Sequence, residues 1–300
     1  MRFFPLLAAA LVVSTADASS GSSSAKQGPA QAKPEPGASR QTGGRTVAPA
    51  VIEAVEQSTP ALPGAAELAR PSRANPYVCP SDMAMIGRSF CIDVYEASLV
   101  QVMPDGSEKP WPYYATLPKG VVTRAVSSAG VFPQGYVSGT QAAAACKQSG
   151  KRLCRPNEWR SACMGPKKTT FPYGNQRETG RCNDNGRSPM HFFNPNLDGK
   201  PEHRWMWGHG GNMIDPRLNQ LEGTITRTGE RTGCTNEYGV YDMVGNLHEW
   251  VDDPDGTFQG GYYLDTHLNG DGCNYRTTAH PMTHYDYSTG FRCCEDVAGI

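Results

Sequence analysis

The stretch Gly239-Val240-Tyr241-Asp242-Met243-Val244-Gly245-Asn246-Leu247-His248-Glu249-Trp250 decides how the rest of the chain is read. It carries two glycines, two carboxylates, an asparagine amide and a tryptophan. That is too polar and too rich in glycine for an ordinary core strand or helix. Glycine permits φ > 0 and carboxylates are hard oxygen ligands, so the segment reads as backbone bent sharply to aim oxygens at one spot.

Working outward, other short landmarks stand in order: Phe90-Cys91-Ile92-Asp93-Val94-Tyr95-Glu96, Gly150-Lys151-Arg152-Leu153, Glu158-Trp159, Tyr173-Gly174, Gly260-Gly261 and Gly290-Phe291-Arg292-Cys293. With the opening stretch they resemble the formylglycine-generating enzymes, also called sulfatase-modifying factors, across residues 76–300. The resemblance implies an α+β domain, a variant of the C-type lectin fold. It would have two short helices, small antiparallel sheets, little regular structure and disulfide staples.

The resemblance also implies particular cysteine pairs and ligands. Cys146 and Cys293 fall where family members join the first helix to the strand carrying the Gly-Phe-Arg-Cys run. Cys163 matches a second bridged position whose partner position is Thr277 here, leaving Cys182 or Cys273 as substitutes. Calcium in the family is held by groups matching the Asp242 side chain, the carbonyls of Gly245 and Leu247, and Glu249. Asn183 matches one residue of a second calcium site. The bland alternative for the loop is a tight turn held by Asp242 and Asn246 hydrogen bonds.

Active family members bind copper(I) through two cysteines after a Gly-Gly-Ser turn, and use oxygen to oxidise a substrate cysteine to formylglycine. Here Tyr262 takes the serine position and Asp265 the first cysteine position. Cys273 lies near the second, displaced by a longer loop, and His248 stands in place of the family's tryptophan. A lone thiolate beside a carboxylate is a poor trap for so soft an ion. Iron or zinc on Asp265, His267, Cys273, His280 and His284 is a rival reading, against which irregularly spaced histidines more often decorate loops.

The residues themselves set further bounds. Arg2, the apolar run Phe3–Val13 and Ala16-Asp17-Ala18 read as a secretory signal over 1–18, the run being too short to cross a bilayer. Residues 19–75, rich in Ala, Pro, Gly, Ser and Gln and without an aromatic, read as a flexible linker. Ten cysteines without paired CxxC spacing fit disulfides in an exported protein better than metal ligands. Cys79 and Cys91 flank a hairpin-like segment and are the next expected pair, while Cys154, Cys234 and Cys294 stay unassigned.

A formal charge of −1 with no basic stripe argues against nucleic acid as a partner. No integral membrane segment is expected after signal cleavage.

Met83–Ile86 and Phe90–Tyr95 read as strands around Gly87-Arg88-Ser89, with Asp93 and Glu96 capping turns or pairing with basic residues. Residues 100–138 read as a turn-rich stretch. Thr140–Ser149 reads as a helix, and a second follows with Pro156 in its first turn and Gly165 beyond its end. Trp159 and Cys163, four apart, should share an inward face. Residues 187–233 read as an insertion in which His203 and His209 flank Trp205 and Trp207; such histidines are more often surface groups than metal ligands.

Two functions follow from this reading. One is an exported, calcium-stabilised module without the copper pair, binding an extended polypeptide or small ligand in a surface groove. The other is an oxidoreductase of the formylglycine-generating type with a remodelled copper or iron site.

Overall fold

In the computed structural model, residues 78–197, 212–278 and 280–297 are described. The expected signal and linker, and His203, Trp205, Trp207 and His209, lie outside these residues. The described chain starts with a hairpin, β1 (Met83–Ile86) and β2 (Phe90–Asp93), whose turn sets Gly87 and Arg88 at φ 57° and 63°. The Cys79–Cys91 bond ties the lead-in segment to β2.

Three antiparallel strands follow where the sequence reads as turns: β3 (Ala97–Val102), β4 (Glu108–Pro110) and β5 (Thr123–Ser127), in the order β4-β3-β5. The physical signal is alternation. Thr123, Ala125 and Ser127 are buried while Arg124 and Val126 are half-buried, the period of two that a one-faced strand requires. The prolines that mask it stand mostly between strands, and Pro110 ends the edge strand β4, where a missing donor costs least.

Helix α1 (Gly139–Gln148) opens with a capping box. Gln141 N–H donates to Ser138 Oγ at 3.3 Å, and Ser138 N–H donates to Gln141 Oε1 at 3.0 Å. After β6 (Arg152–Leu153), helix α2 (Pro156–Met164) has proline in its first turn and ends at Gly165, φ 66°. Trp159 and Cys163 share its inward face, both fully buried. A third helix, α3 (Pro189–Phe193), is capped by Ser188.

The remaining strands are β7 (His248–Trp250), β8 (Phe258–Gln259), β9 (Arg276–Thr277), β10 (Thr289–Phe291) and β11 (Cys293–Asp296). One sheet runs β1-β2-β11-β6, all antiparallel. The other runs β10-β7-β8-β9, and there β10 and β7 are parallel, a departure from the purely antiparallel expectation. Parallel pairing is possible because the long connection from β7 to β10 supplies the crossover.

Strand β11 stands between two apolar cores. Side chains on a strand alternate faces, so Cys293 enters the cluster of Trp250, Phe258, Phe291 and Leu153, while Cys294 enters that of Trp159, Ile92 and Phe171. Cys293 bonds Cys146 on α1, and Cys294 bonds Cys154 after β6. Cys163–Cys273 and Cys182–Cys234 complete five disulfides, which use all ten cysteines. No helix among the described residues is long and apolar enough to cross a membrane.

Candidate functional site

The loop before β7 is held in left-handed backbone at three points: Asp242 (φ 58°), Gly245 (φ 80°) and Asn246 (φ 56°). A Cβ at Gly245 would lie 2.2 Å from the Asn183 carbonyl, so only glycine lets the two segments approach. Asn246 is the hub of this approach. Its N–H donates to Asn183 O at 2.9 Å, and its Oδ1 accepts from Thr226 N and Asn183 Nδ2, both at 2.9 Å. Its Nδ2 donates to Glu96 Oε2 at 2.5 Å, while Leu247 N donates to Glu96 Oε1 at 3.2 Å. Glu96 therefore braces the loop rather than a basic partner. Asp93 does pair with a base, at 2.6 Å from Lys151 Nζ.

Behind the loop, Arg292 is fully buried and meets Glu249 fork to fork. Its Nε donates to Oε2 and its NH2 to Oε1, each at 2.7 Å. Trp159 Nε1 donates to the same Oε2 at 2.6 Å. Arg292 also donates to the carbonyls of Asp93 and Tyr241. Burial drives the Glu96 carboxyl well above its usual range, helped by the charges of Asp242 and Glu249 and opposed by Arg292. Asp242, buried with Oδ2 accepting from Gly229 N at 2.7 Å, is pushed up to about 6.

The calcium set carried over from the resemblance meets a competing cation in this arrangement, the Arg292 guanidinium. Asp242, Gly245, Leu247 and Glu249 share one loop, yet both Glu249 oxygens are engaged by Arg292 and Trp159. The cation in contact with that carboxylate is a guanidinium. Asn183 Nδ2 donates to Thr224 O and to Asn246 Oδ1, and its backbone carbonyl accepts from Asn246 N–H.

At the copper position the fit fails. Cys273 is bonded to Cys163 and has no thiolate to offer. Asp265 Oδ1 accepts from the N–H groups of His267 (2.9 Å) and Leu268 (3.0 Å), and Oδ2 accepts from Tyr275 O–H at 3.0 Å. His284 Nε2 sits 3.0 Å from Asp286 Oδ2 and stacks on His280. Among the described residues, no group of three or more His, Cys, Asp or Glu side chains is arranged to hold a metal ion.

A buried polar chain that the sequence did not reveal fills this region instead. His248 Nδ1 lies 3.2 Å from Ser288 Oγ, and its Nε2 lies 3.3 Å from Tyr275 Oη. Ser288 donates to Asp286 Oδ1 at 2.7 Å, and Tyr275 donates to Asp265. Both ring nitrogens thus face hydroxyl oxygens whose protons point to carboxylates. A neutral ring can donate to one of them and leaves the other contact without a proton. Burial nevertheless holds the ring neutral, pulling His248 down to about 4 against the pull of Asp286 and Asp265. Burial would raise Asp286, but the His284 and Ser288 hydrogen bonds keep its carboxyl below the usual value.

On the other side of β8, a groove of about 610 Å³ opens beside the Cys163–Cys273 bond. Asn157, Arg160, Gln259, Asn274 and Arg276 line it. Sequence spacing could not bring α2 and the 273–276 turn together; the Cys163–Cys273 bond does so.

A family model described as the sulfatase-modifying factor enzyme 1-like domain matches residues 88–297. A Bos taurus protein named inactive C-alpha-formylglycine-generating enzyme 2 is 31% identical over 122 residues, which is 40% of this chain and 32% of that protein. The match thus spans about a third of that curated relative. Among solved structures, PvdO from Pseudomonas aeruginosa is similar at TM-score 0.42 and 15% identity, covering 74% of this chain and 86% of that one. The Major Tropism Determinant U1 variant is similar at TM-score 0.40 and 14% identity, covering 73% and 54%.

Proposed function

The chain belongs to the sulfatase-modifying factor enzyme 1-like domain family, and on that premise we propose that it is an exported binding module that has kept the family's scaffold without its thiol-oxidising chemistry. One observation carries the reading: Cys273 is tied to Cys163, and Asp265, in the place of the other sulfur, is satisfied by Tyr275, His267 and Leu268. Copper(I) requires soft thiolates, and the site supplies a closed disulfide and a hard carboxylate. Export is supported by five disulfides, which persist in oxidising compartments. The name of the bovine relative, which calls that protein inactive, points the same way. The ligand site is the groove beside Cys163–Cys273.

The rival, a remodelled oxidoreductase, needs a metal on Asp265 and the nearby histidines, yet Asp265 accepts from the His267 N–H, and His284 meets Asp286 and stacks on His280. A Cys-x-Pro-x-Arg peptide incubated with the purified full chain, copper(I) and oxygen separates the two. Mass spectrometry should find the thiol unchanged. Conversion to the aldehyde, with stoichiometric copper or iron in the protein, would overturn the proposal.

A further inference from the structure

We infer that the groove beside the Cys163–Cys273 bond is a site for an acidic stretch of extended polypeptide. The inference rests on the binding-module reading and names the ligand class that the groove would take.

Its charged lining is of one sign. Arg160 and Arg276 face it, and no Asp or Glu lines it, in a chain whose formal charge is −1. Both guanidiniums are exposed. Arg160 is positioned by a neutral group: its Nε and NH2 both donate to Asn274 Oδ1, at 3.1 and 2.6 Å. That fork fixes the guanidinium plane without neutralising its charge. Arg276 is ion-paired with Asp253 at 3.1 Å and donates to Thr257 at 3.3 Å, so Arg160, whose hydrogen bonds go to a neutral carboxamide, carries the stronger pull on an anion. A planar fork held in one orientation is the group best matched to a carboxylate.

The rest of the lining suits a peptide backbone. The Asn157 carboxamide offers a donor and an acceptor to a peptide backbone, and Asn274, whose Oδ1 is taken by Arg160, offers its Nδ2 as a donor. Gln259 is buried, and its Nε2 donates to Pro156 O at 3.1 Å, so its carboxamide is fixed in place. The disulfide below makes a rigid floor, so little ordering cost falls on the protein. A second concavity of about 370 Å³ is less suited: Lys167 and Glu237, both in its wall, already pair with each other.

The test uses the full oxidised chain and fluorescence anisotropy with three labelled peptides of one length, carrying Glu-Glu, Gln-Gln or Lys-Lys at their centre. The Glu-Glu peptide should bind at least about tenfold tighter than the Gln-Gln one, and its affinity should fall as salt rises. Arg160→Ala and Arg276→Ala should each weaken it about three- to tenfold, the range for exposed carboxylate forks. Asn274→Asp, which is isosteric and places a carboxylate against Arg160, should weaken the Glu-Glu peptide while leaving the melting temperature in place.

Equal binding of all three peptides would overturn the acidic preference, and arginine variants without effect would overturn the groove as the site of binding. No binding by any peptide would overturn the polypeptide assignment, and capture of an oligouronate in place of the peptide would do the same. Whether the thiol chemistry is lost is decided separately by the Cys-x-Pro-x-Arg assay.

Discussion

Arg292 and His248 are buried residues whose charge states the surrounding structure decides. Arg292 is fully buried, and the burial that would lower its basicity is outweighed by Glu249, Glu96 and Asp242 together. Removing one member of such a pair strands the other, at a cost of about 3–5 kcal/mol. Arg292→Met should therefore lower unfolding free energy in urea by about that much; a loss near 1 kcal/mol, the level of an ordinary mutation, would mean that the pair is not the anchor of the loop. His248 gives a pH dependence of definite sign. Its folded pKa of about 4 lies below the unfolded value of 6.5, so acid protonates the unfolded chain first. Stability from this residue is complete above pH 6.5 and is lost as pH falls toward 4. Between pH 7 and 5 that loss is about 2 kcal/mol. Asp93, raised by burial to about 6, runs the other way over pH 4–6, so the comparison must be with a His248→Gln variant. The variant should lack the slope, and ring NMR shifts in the native protein should stay flat down to pH 5. A midpoint near 6.5 would sink the assignment. Neither behaviour is legible in sequence: Arg292 stands there only as one residue of a short landmark, and the partners of His248 lie in other segments.

Elements with local signals were legible, and those built from distant partners were not. Helix α1 is announced by Ser138 and Gln141 at capping-box spacing and by its closing glycine, and α2 by Pro156 and Gly165. Ser138→Ala should cost about 1 kcal/mol, read as a lower urea midpoint at unchanged slope; Ser138→Gly should cost only a few tenths. Equal losses in the two variants would show that the hydroxyl does not cap the helix. The β4-β3-β5 sheet was missed because prolines outweighed a short alternation, and a strand of three to six residues needs its neighbours to be recognised. The β7–β10 pair was unreadable for a plainer reason: its members stand about forty residues apart, and parallel pairing leaves no turn signature between them.

At the scale of the whole molecule, staples take the place of long ladders. Bonds closing 147, 140 and 110 residues restrict the unfolded chain strongly, on the order of 4–5 kcal/mol each in the chain-entropy picture. The Arg292 guanidinium on Glu249 already supplies positive charge to the loop. Chelation with EGTA should leave the melting temperature within about 1 °C, whereas a ligand that binds the native state at many times its Kd would shift it by several degrees. A clear fall on chelation would restore calcium to the loop. Family membership was legible from seven short motifs, because they mark turns and buried polar contacts that this backbone demands at fixed points. The groove was not, because it exists only once Cys163 has met Cys273. The neighbouring thiols of β11 carry one more implication. Cys293 and Cys294 differ by a single step, so exchanging their partners would turn the strand over and drive Arg292 out of its niche. Oxidation by itself cannot tell the two isomers apart; the two cores flanking the strand and the buried guanidinium can, which makes Arg292 one proofreader of the protein's own cross-links.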